Sequence, residues 1–356
     1  MSYDLRLATY DSLSLLKQLI SIPSISREED KTATFIFQYL SSKGFKPERK
    51  GNNVWVRSIL SDALPTILLD SHHDTVKPAS SWTLDPFQPF EKDGKLYGLG
   101  SNDAGASLIS LMMTFIHFAN QPNRPFNLIF SASAEEEVTG KNGLASIIED
   151  LGKIDLAIAG EPTKMQMAVA EKGLLVLDCK ATGKTGHAAR NEGINSIYMA
   201  MEDIEWFKNY QFPEKSDLLG PVKMSVTMIN AGTQHNVVPP ECTYVVDVRT
   251  NEFYSNQQAV DIIKQQVKNS EVTPRSTHLN SSRISIDHPI VKRGMDIGLT
   301  YFGSPTSSNQ TVMPYTSIKI GPGDSARSHS ADEFVYLEEI EKGIETYVKL
   351  LDGLKI

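Results

Sequence analysis

Apolar and polar positions follow helical and strand-like spacing in turn along the first half of the chain. The spacing in "SLLKQLI" predicts a helix that stops at Pro23. A second helix is predicted in "SREEDKTATFIFQYLSSKG", with Ser26 and Glu29 as an N-terminal capping box and Gly44 at its end. The short apolar runs "NVWVRSI", "TILLDS", "FNLIFSA" and "IDLAIAG" surround a third helical pattern, "AGASLISLMMTFIHFA". Compact runs of this kind suit strands covered on both faces, so the pattern predicts a three-layer α/β/α fold.

The pattern changes near Gly173. Strand-like "LLVLDCKATG" precedes helical "GINSIYMAMEDIEWFKNY", strand-like "VKMSVTMIN" and "CTYVVDVRT", helical "SNQQAVDIIKQQVKN" and a last strand in "RISI". The order β-α-β-β-α-β is that of the ferredoxin-like fold. It predicts an inserted α+β domain at residues 174–283, within a catalytic domain made of residues 1–173 and 284–356. A strand, "TSIKIG", and a helix, "YLEEIEKGIETYVKLL", belong to the second catalytic segment.

The composition is that of an ordinary globular chain. A length of 356 residues suits two domains. The net charge of −8 offers no basic surface, so we expect no nucleic-acid partner. Cys179 and Cys242 are the only cysteines, which argues against a disulfide framework and a thiolate metal cluster. We find no secretory signal and no apolar run of ~18 residues, so we expect a cytoplasmic protein without a membrane partner.

Histidines and carboxylates gather where the predicted strands end. His72 and Asp74 follow "ILLDS", three glutamates follow "NLIFSASA", and Asp103 stands just before a helix. Glu161 follows "LAIAG", and His329 follows "SIKIGPGDSARS". Ligands of open α/β sheets bind beyond the carboxyl ends of the strands. Imidazole and carboxylate donors without thiolate suit Zn²⁺, with Co²⁺ or Mn²⁺ as substitutes, so the sequence predicts a metal site at this edge.

The doubled histidine is predicted to contain one ligand and one bystander. His72 and Asp74 are two residues apart, so in a strand their side chains share a face. One could bind metal while the other accepts the second N–H of the imidazole. His73 would point to the opposite face.

Eight motifs resemble those of one enzyme family. In chain order they are "SHHDTV", "GLGSNDAG", "SASAEEEVTGKNG", "AGEPT", "GKTGHAARNEGINSI", "GTQHNVVPP", "DVR" and "GPGDSARSHSADE". They are similar to those of the dinuclear metalloamidohydrolases, which include acetylornithine deacetylase, succinyl-diaminopimelate desuccinylase, aminoacylase and glutamate carboxypeptidase. The resemblance spans nearly the whole chain. It implies a zinc-peptidase-like catalytic domain, an inserted lid and dimerisation domain, and a homodimer that forms through that insertion.

The resemblance also implies two Zn²⁺ ions per chain. Position by position, His72 and Glu161 would hold one ion and Glu137 and His329 the other. Asp103 would bridge the two ions.

Further roles follow from the same resemblance. Glu136 would be the general base, and Asp74 would support His72 from behind. Family members have a non-proline cis peptide after the bridging aspartate, which corresponds here to Asp103–Ala104.

The triple glutamate leaves the register open. The small residue before it and Gly143 after it favour Glu136 as the base and Glu137 as the ligand. A shift by one place would assign those roles to Glu135 and Glu136.

Three residues of the predicted insertion match functional positions of the family. The resemblance implies that His187 reaches an active site, often that of a partner subunit, and stabilises the oxyanion. Asn236 and Arg249 match residues that bind substrate. A planar guanidinium suits a bidentate grip on the α-carboxylate of an N-acyl amino acid, although a surface salt bridge is the alternative for Arg249.

Two departures from the family's motifs bear on substrate identity. Ser71 stands where the family usually has glycine, and "DAGA" replaces the common Asp-Met-Lys-Gly, so Ala104 stands in place of a methionine. Neither change removes a ligand.

The resemblance implies an enzyme rather than a binding protein on the same fold, since all five ligands and the base are present. The expected reaction is hydrolysis of a small N-acyl amino acid, as in the acetylornithine deacetylase of arginine biosynthesis. A succinyl-diaminopimelate desuccinylase, an acyl-citrulline or acyl-lysine hydrolase, and an aminopeptidase or dipeptidase of the same chemistry are the alternatives.

Overall fold

A computed structural model describes residues 5–356 of the chain, with side chains from residue 11 onward. The chain forms two compact units. The first comprises Met1–Val169, Ile284–Phe302 and Ser308–Ile356, and the second comprises Ala170–Arg283 and Gly303–Ser307. Within the described residues, no helix is both long enough and apolar enough to cross a membrane.

Helices and strands alternate along the chain. The helices are α1 (Leu5–Ile20), α2 (Asp30–Ser42), α3 (Ala106–Ala119), α4 (Ile148–Leu151), α5 (Ser196–Asn209), α6 (Asn256–Gln266), α7 (Pro289–Asp296) and α8 (Leu337–Leu351). The strands are β1 (Glu48–Lys50), β2 (Asn53–Ser58), β3 (Thr66–His72), β4 (Phe90–Lys92), β5 (Lys95–Tyr97), β6 (Asn127–Ser133), β7 (Leu156–Ala159), β8 (Met167–Glu171), β9 (Leu175–Thr182), β10 (Gly186–His187), β11 (Lys223–Ala231), β12 (Val237–Val238), β13 (Glu241–Arg249), β14 (Ser270–Pro274), β15 (Ser282–Arg283), β16 (Tyr301–Ser304), β17 (Ser317–Lys319) and β18 (Phe334–Tyr336).

The first unit is built on a mixed sheet with the strand order β1-β2-β6-β3-β7-β17-β8. Strands β6, β3, β7 and β17 are mutually parallel neighbours, and every residue of β6 is buried. Helices α1, α3 and α8 pack together, and α3 lies against β3 and β6. An apolar cluster of the first unit includes Trp55, Leu68 and Leu151. The three-layer α/β/α prediction is confirmed.

The parallel strands explain why the candidate residues meet. Strands β3, β6, β7 and β17 end at His72, Ser133, Ala159 and Lys319. Because parallel neighbours end at the same edge of a sheet, the loops that follow them lie side by side. A separate antiparallel sheet, β18-β5-β4, also belongs to the first unit.

The predicted capping box at the start of α2 is wrong. Helix α2 begins at Asp30, and its N-terminal cap makes no side-chain hydrogen bond. Ser26 instead donates to Asp74 Oδ2 at 2.7 Å. Glu29 accepts the N–H of Glu135 at 3.2 Å, together with bonds from residues 27 and 52. Tertiary partners therefore take both side chains that the local pattern assigned to the helix end.

The second unit is an antiparallel four-stranded sheet in the order β11-β13-β9-β14, with α5 and α6 against its apolar core. Its chain order gives the predicted ferredoxin-like arrangement. The predicted last strand, "RISI", is wrong, because β14 supplies that strand. Its sequence, "SEVTP", buries only Val272, so it carries little strand signal. Ser282 and Arg283 pair with β8 instead.

Candidate metal centre

His72, the last residue of β3, is buried with 1% of its surface exposed. Its Nδ1 lies 2.9 Å from the main-chain oxygen of Asp74 and 3.5 Å from the Asp74 carboxylate. The shorter contact is the hydrogen bond, so Nδ1 donates its proton to the main chain. In the neutral ring the lone pair is then on Nε2, which is buried and has no hydrogen-bond partner among the described residues. A buried acceptor of this kind is suited to bind a metal ion.

Asp103 lies between two histidines. Its Oδ1 is 3.4 Å from His72 Nε2, and its Oδ2 is 3.6 Å from His329 Nε2. His329 Nε2 also lies 2.9 Å from Glu137 Oε2. The hydrogen bond that His329 donates to the Glu137 carboxylate raises the pKa of His329 to about 9. One carboxylate therefore offers a separate oxygen to each imidazole.

Two further carboxylates face His72 Nε2. Glu161 Oε1 lies 3.9 Å from that nitrogen, and Glu136 Oε2 lies 4.0 Å from it. Burial raises the pKa of Glu136 to about 8, an effect that His72 opposes and Glu137 reinforces. Burial likewise raises the pKa of Glu161 well above its usual value, although the nearby His72 lowers it. Buried carboxylates this close destabilise each other's charge unless a cation lies among them.

The donor set fits divalent metal ions such as zinc. His72, Asp103 and Glu137 place ligand atoms within 4.8 Å of one another, and so do His72, Glu136 and Glu161. Donors ~2.0–2.2 Å from a tetrahedral ion lie about 3.3–3.6 Å apart, close to the separations between Asp103 and the two histidines. The nitrogen and oxygen donors, without thiolate, also match this chemistry.

The three consecutive glutamates point in different directions. Glu135 is buried, and its Oε1 accepts a hydrogen bond from Asn142 Nδ2 at 2.9 Å. Its carboxylate packs so closely on Gly140 that a Cβ there would lie 1.8 Å from Oε2. Glu136 and Glu137 instead face the histidines. This placement favours the register with Glu136 as the base and Glu137 as a ligand.

Asp74 fixes the turn that carries these glutamates. Its carboxylate accepts the N–H groups of Glu136 at 3.0 Å and Glu137 at 3.2 Å. The side chain predicted to orient His72 thus orients Glu136 and Glu137, while its main-chain oxygen accepts from the imidazole. His73 faces away from the centre, with ring contacts to Thr32 Oγ1 and the main-chain oxygen of residue 52.

Sequence reasoning missed Glu333. Its side chain is 2% exposed, and its carboxylate accepts the N–H groups of Gly100, Asn102 and Asp103. The peptide Asp103–Ala104 is cis, as the family resemblance implied. Glu333 is the last residue of the motif "SADE". Its partners lie about 230 positions earlier in the chain, so no local sequence pattern predicts the contact.

The two departures from the family's motifs have local explanations. The Ser71 hydroxyl donates to the main-chain oxygen of Gly160 at 2.8 Å, which ties the end of β3 to the chain after β7. Ala104 is buried and lines a small cavity with Leu16, Ile20 and Leu108.

In the second unit, His187 and Asn236 lie side by side. Strands β10 and β12 pair His187 with Val237, and the N–H of Ala188 donates to the Asn236 main-chain oxygen at 3.0 Å. His187 is exposed, and its Nδ1 accepts the N–H of Ala189 at 3.1 Å. In the neutral ring the proton is therefore on Nε2, which makes that atom a donor.

Arg249 is the last residue of β13, whose first residue, Glu241, follows β12 closely in the chain. Its Nε and Nη2 donate to Asp247 at 2.9 and 3.1 Å, so the salt-bridge alternative is present in the structure. The eight steps along β13 from Glu241 to Arg249 separate the strand ends by about 26 Å at ~3.3 Å per residue.

Comparison with known proteins gives a consistent result. The chain matches the family model "Peptidase family M20/M25/M40" over residues 68–353. It is 28% identical over 273 residues to a succinyl-diaminopimelate desuccinylase of Nautilia profundicola, covering 73% of this chain and 74% of the relative. It is 26% identical over 385 residues to an acetylornithine deacetylase of Proteus mirabilis, covering 98% of each chain.

Solved structures share the fold. The aminopeptidase PepT of Bacillus cereus superposes with a TM-score of 0.77 at 17% identity, over 97% of this chain and 98% of that one. The Bacillus subtilis YXEP protein, described as a dinuclear metal binding peptidase, superposes with a TM-score of 0.74 at 15% identity, over 98% of this chain and 100% of that one.

Proposed function

The chain belongs to peptidase family M20/M25/M40, and we propose that it hydrolyses the amide bond of a small N-acyl amino acid, releasing a carboxylate and a free amine. One observation carries the proposal above all others. The buried Nε2 of His72 has no hydrogen-bond partner among the described residues, yet it faces three carboxylates within 4.0 Å. Such an arrangement suits a cation more than a proton.

The contacts of Asp103 with both histidines support the proposed ligand pairs. His72 and Glu161 would hold one zinc ion, His329 and Glu137 the other, and Asp103 both. When bound, the ions supply Lewis-acid activation of the amide carbonyl and of water.

Glu136 would carry the proton in this reaction. Its carboxylate is held beside the ligands, because Asp74 fixes the main-chain N–H of the same residue. It would accept the proton of the attacking water and then deliver it to the leaving amine. That transfer needs a carboxylate that lies close to the metal ligands but does not itself bind a metal ion.

His187 is proposed as a hydrogen-bond donor to the oxyanion, and Asn236 as a substrate-binding neighbour. The donor proton on Nε2 and the exposed position of His187 support this role. Arg249 lies at one end of β13, and the chain from β12 enters the other end, about 26 Å away at ~3.3 Å per residue. This placement supports substrate contacts in which Arg249 and His187 come from different protomers. We therefore infer that a homodimer completes the substrate contacts.

The surface of the second unit supports such a dimer. Strand β11 is an edge of the four-stranded sheet, and Met228 and Ile229 on it are 57% and 53% exposed. Tyr198 and Met201 on α5 are also exposed. A long edge strand beside apolar side chains is a surface that proteins usually cover.

Arg249 is proposed to bind the α-carboxylate of the substrate. Two of its donors engage Asp247, which leaves Nη1 of the guanidinium for a further acceptor. A free α-carboxylate would then be required, as in acetylornithine. Succinyl-diaminopimelate is the second candidate substrate, because one of the relatives is named succinyl-diaminopimelate desuccinylase.

Substrate kinetics test this proposal. We expect hydrolysis of acetyl- or succinyl-amino acids, chosen from ornithine, citrulline, lysine and diaminopimelate, with the matching α-amides as poor substrates. Arg249→Ala should lower the catalytic efficiency on the acid more than on the amide. The difference in efficiency between the two substrates should therefore become smaller. Arg275→Ala is the matched control, because Arg275 makes the same two-point contact with Asp178 elsewhere in the second unit. Equal efficiency on acid and amide would favour a peptidase that cleaves internal bonds.

A further inference from the structure

The turn that carries Asp103 is held by a single buried carboxylate. Glu333 Oε1 accepts the N–H of Asn102 at 2.8 Å and the N–H of Asp103 at 2.9 Å. Glu333 Oε2 accepts the N–H of Gly100 at 3.2 Å. With only 2% of its surface exposed, Glu333 has little access to water as an alternative partner.

Burial and the nearby Asp103 carboxylate raise the pKa of Glu333 to about 8, whereas its three main-chain hydrogen bonds favour the ionised form. Hydrogen bonds from main-chain N–H groups to an ionised carboxylate are roughly twice as strong as neutral ones. In the part of the chain that the structure describes, no lysine or arginine pairs with Glu333. Its interactions are thus directed at the main chain on the N-terminal side of Asp103, including the N–H of Asp103 itself.

The same contacts join two candidate ligands. Glu333 lies four residues after His329, so its carboxylate links the His329 segment to the Asp103 turn. Asn102 makes a second link on the other side of His329. Its Oδ1 accepts the N–H of Asp324 at 2.9 Å, and its Nδ2 donates to the Asp324 main-chain oxygen at 3.1 Å. These two links hold the chain on both sides of His329 beside the Asp103 turn, where His329 Nε2 lies 3.6 Å from Asp103 Oδ2.

We propose that Glu333 is a positioning residue of the metal centre, which holds Asp103 between His72 and His329 so that one carboxylate can serve two ions. The inference rests on the proposed metal centre. It adds a residue outside the ligand set that sets metal affinity. A carboxylate that merely folded the turn would affect stability without changing metal binding.

Glu333→Gln separates these two roles. Glutamine has nearly the same size and keeps the oxygen that accepts from Asn102 and Asp103. Its amide group would face the N–H of Gly100, so one acceptor becomes a donor. Glu338→Gln is the matched control, because Glu338 lies five residues further on and is 66% exposed at its side chain, paired with Lys342.

Cobalt is the probe. Metal-free protein is titrated with Co²⁺, and both the affinity and the visible absorption spectrum are recorded, since the spectrum reports the ligand geometry. We expect Glu333→Gln to bind Co²⁺ about 10- to 100-fold more weakly, as is typical when a group that orients a ligand is lost. We also expect a changed spectrum, and Glu338→Gln should match the wild type in both measurements.

The outcomes are distinct. Wild-type protein that takes up fewer than two Co²⁺ ions would contradict the metal centre itself and the inference with it. Wild type with two ions, beside a Glu333→Gln variant of equal affinity and spectrum, would overturn the inference alone. Glu333→Asp keeps the charge but is one methylene shorter, so we expect weaker binding there too. If neither variant folds without metal, Glu333 belongs to the fold rather than to the metal centre, and the proposal is wrong.

Discussion

Replacing Asp74 with asparagine removes the charge that holds the turn carrying Glu136 and Glu137. The Asp74 side chain is fully buried. Its carboxylate accepts the N–H groups of Glu136 and Glu137 and the hydroxyl of Ser26. Asparagine has the same shape but offers one oxygen, so its amide group must face one of the donors.

The size of the effect follows from these contacts. A hydrogen bond to a charged group contributes ~1.5–3 kcal/mol, and a buried donor left without a partner loses a similar amount. The Ser26 hydroxyl can rotate, so the loss falls mainly on one of the two N–H groups. We therefore expect the turn at Glu136 and Glu137 to become less stable by about 1.5–3 kcal/mol.

Amide hydrogen exchange on the metal-free protein measures this directly. The expected loss corresponds to exchange about 10- to 150-fold faster at Glu136 and Glu137, because 1.4 kcal/mol is a factor of ten. Asp332→Asn is the matched control. Asp332 Oδ1 also accepts two main-chain N–H groups, those of Thr83 and Leu84, but at an exposed site. This control should leave exchange at the glutamates unchanged.

Two results would refute the reasoning. Unchanged exchange at Glu136 and Glu137 in Asp74→Asn would mean that its carboxylate does not hold the turn. Equal acceleration there by Asp332→Asn would mean that the effect is a general loss of stability.

Two further predictions concern the chemistry. Glu136→Gln should keep its metal ions but lose ~10²-fold or more in turnover, since proton transfer is removed, whereas Glu137→Gln should lose one ion. Metal analysis beside steady-state kinetics would show this, and the reverse pattern would move both roles one residue towards Glu135. His187→Ala should lower kcat by ~10²–10³-fold at unchanged metal content, as for loss of an oxyanion donor. Mixed with Glu136→Gln, it should regain activity through hybrid dimers. No recovery in mixtures shown to exchange subunits would mean that each chain uses its own histidine.

The parts of the fold that could be predicted are those with strong local patterns. Each of the buried strands that end at His72 and Ser133 contains three consecutive apolar residues, so both strands were recognisable. The strand at Ser270–Pro274 was missed because it buries only Val272. Ser26 carried a clear capping signal, but its hydroxyl binds Asp74, which is 48 positions away.

The residues of the candidate site could likewise be predicted only in part. His72, Asp103 and Glu161 could be proposed from the sequence because each follows or precedes a recognisable element. The sequence does not reveal that the Glu135 side chain packs on Gly140 and Asn142 rather than facing the histidines. Glu333 was out of reach for the same reason, since its three partners come from a distant turn.

Anomalous diffraction at the zinc edge, from crystals of the metal-loaded protein, tests the central claim most directly. We expect two peaks per chain. One should lie within bonding distance of His72 and Glu161, the other within bonding distance of Glu137 and His329, and both should contact Asp103. Peaks bound through Glu135, or a single peak that Asp103 does not touch, would contradict it.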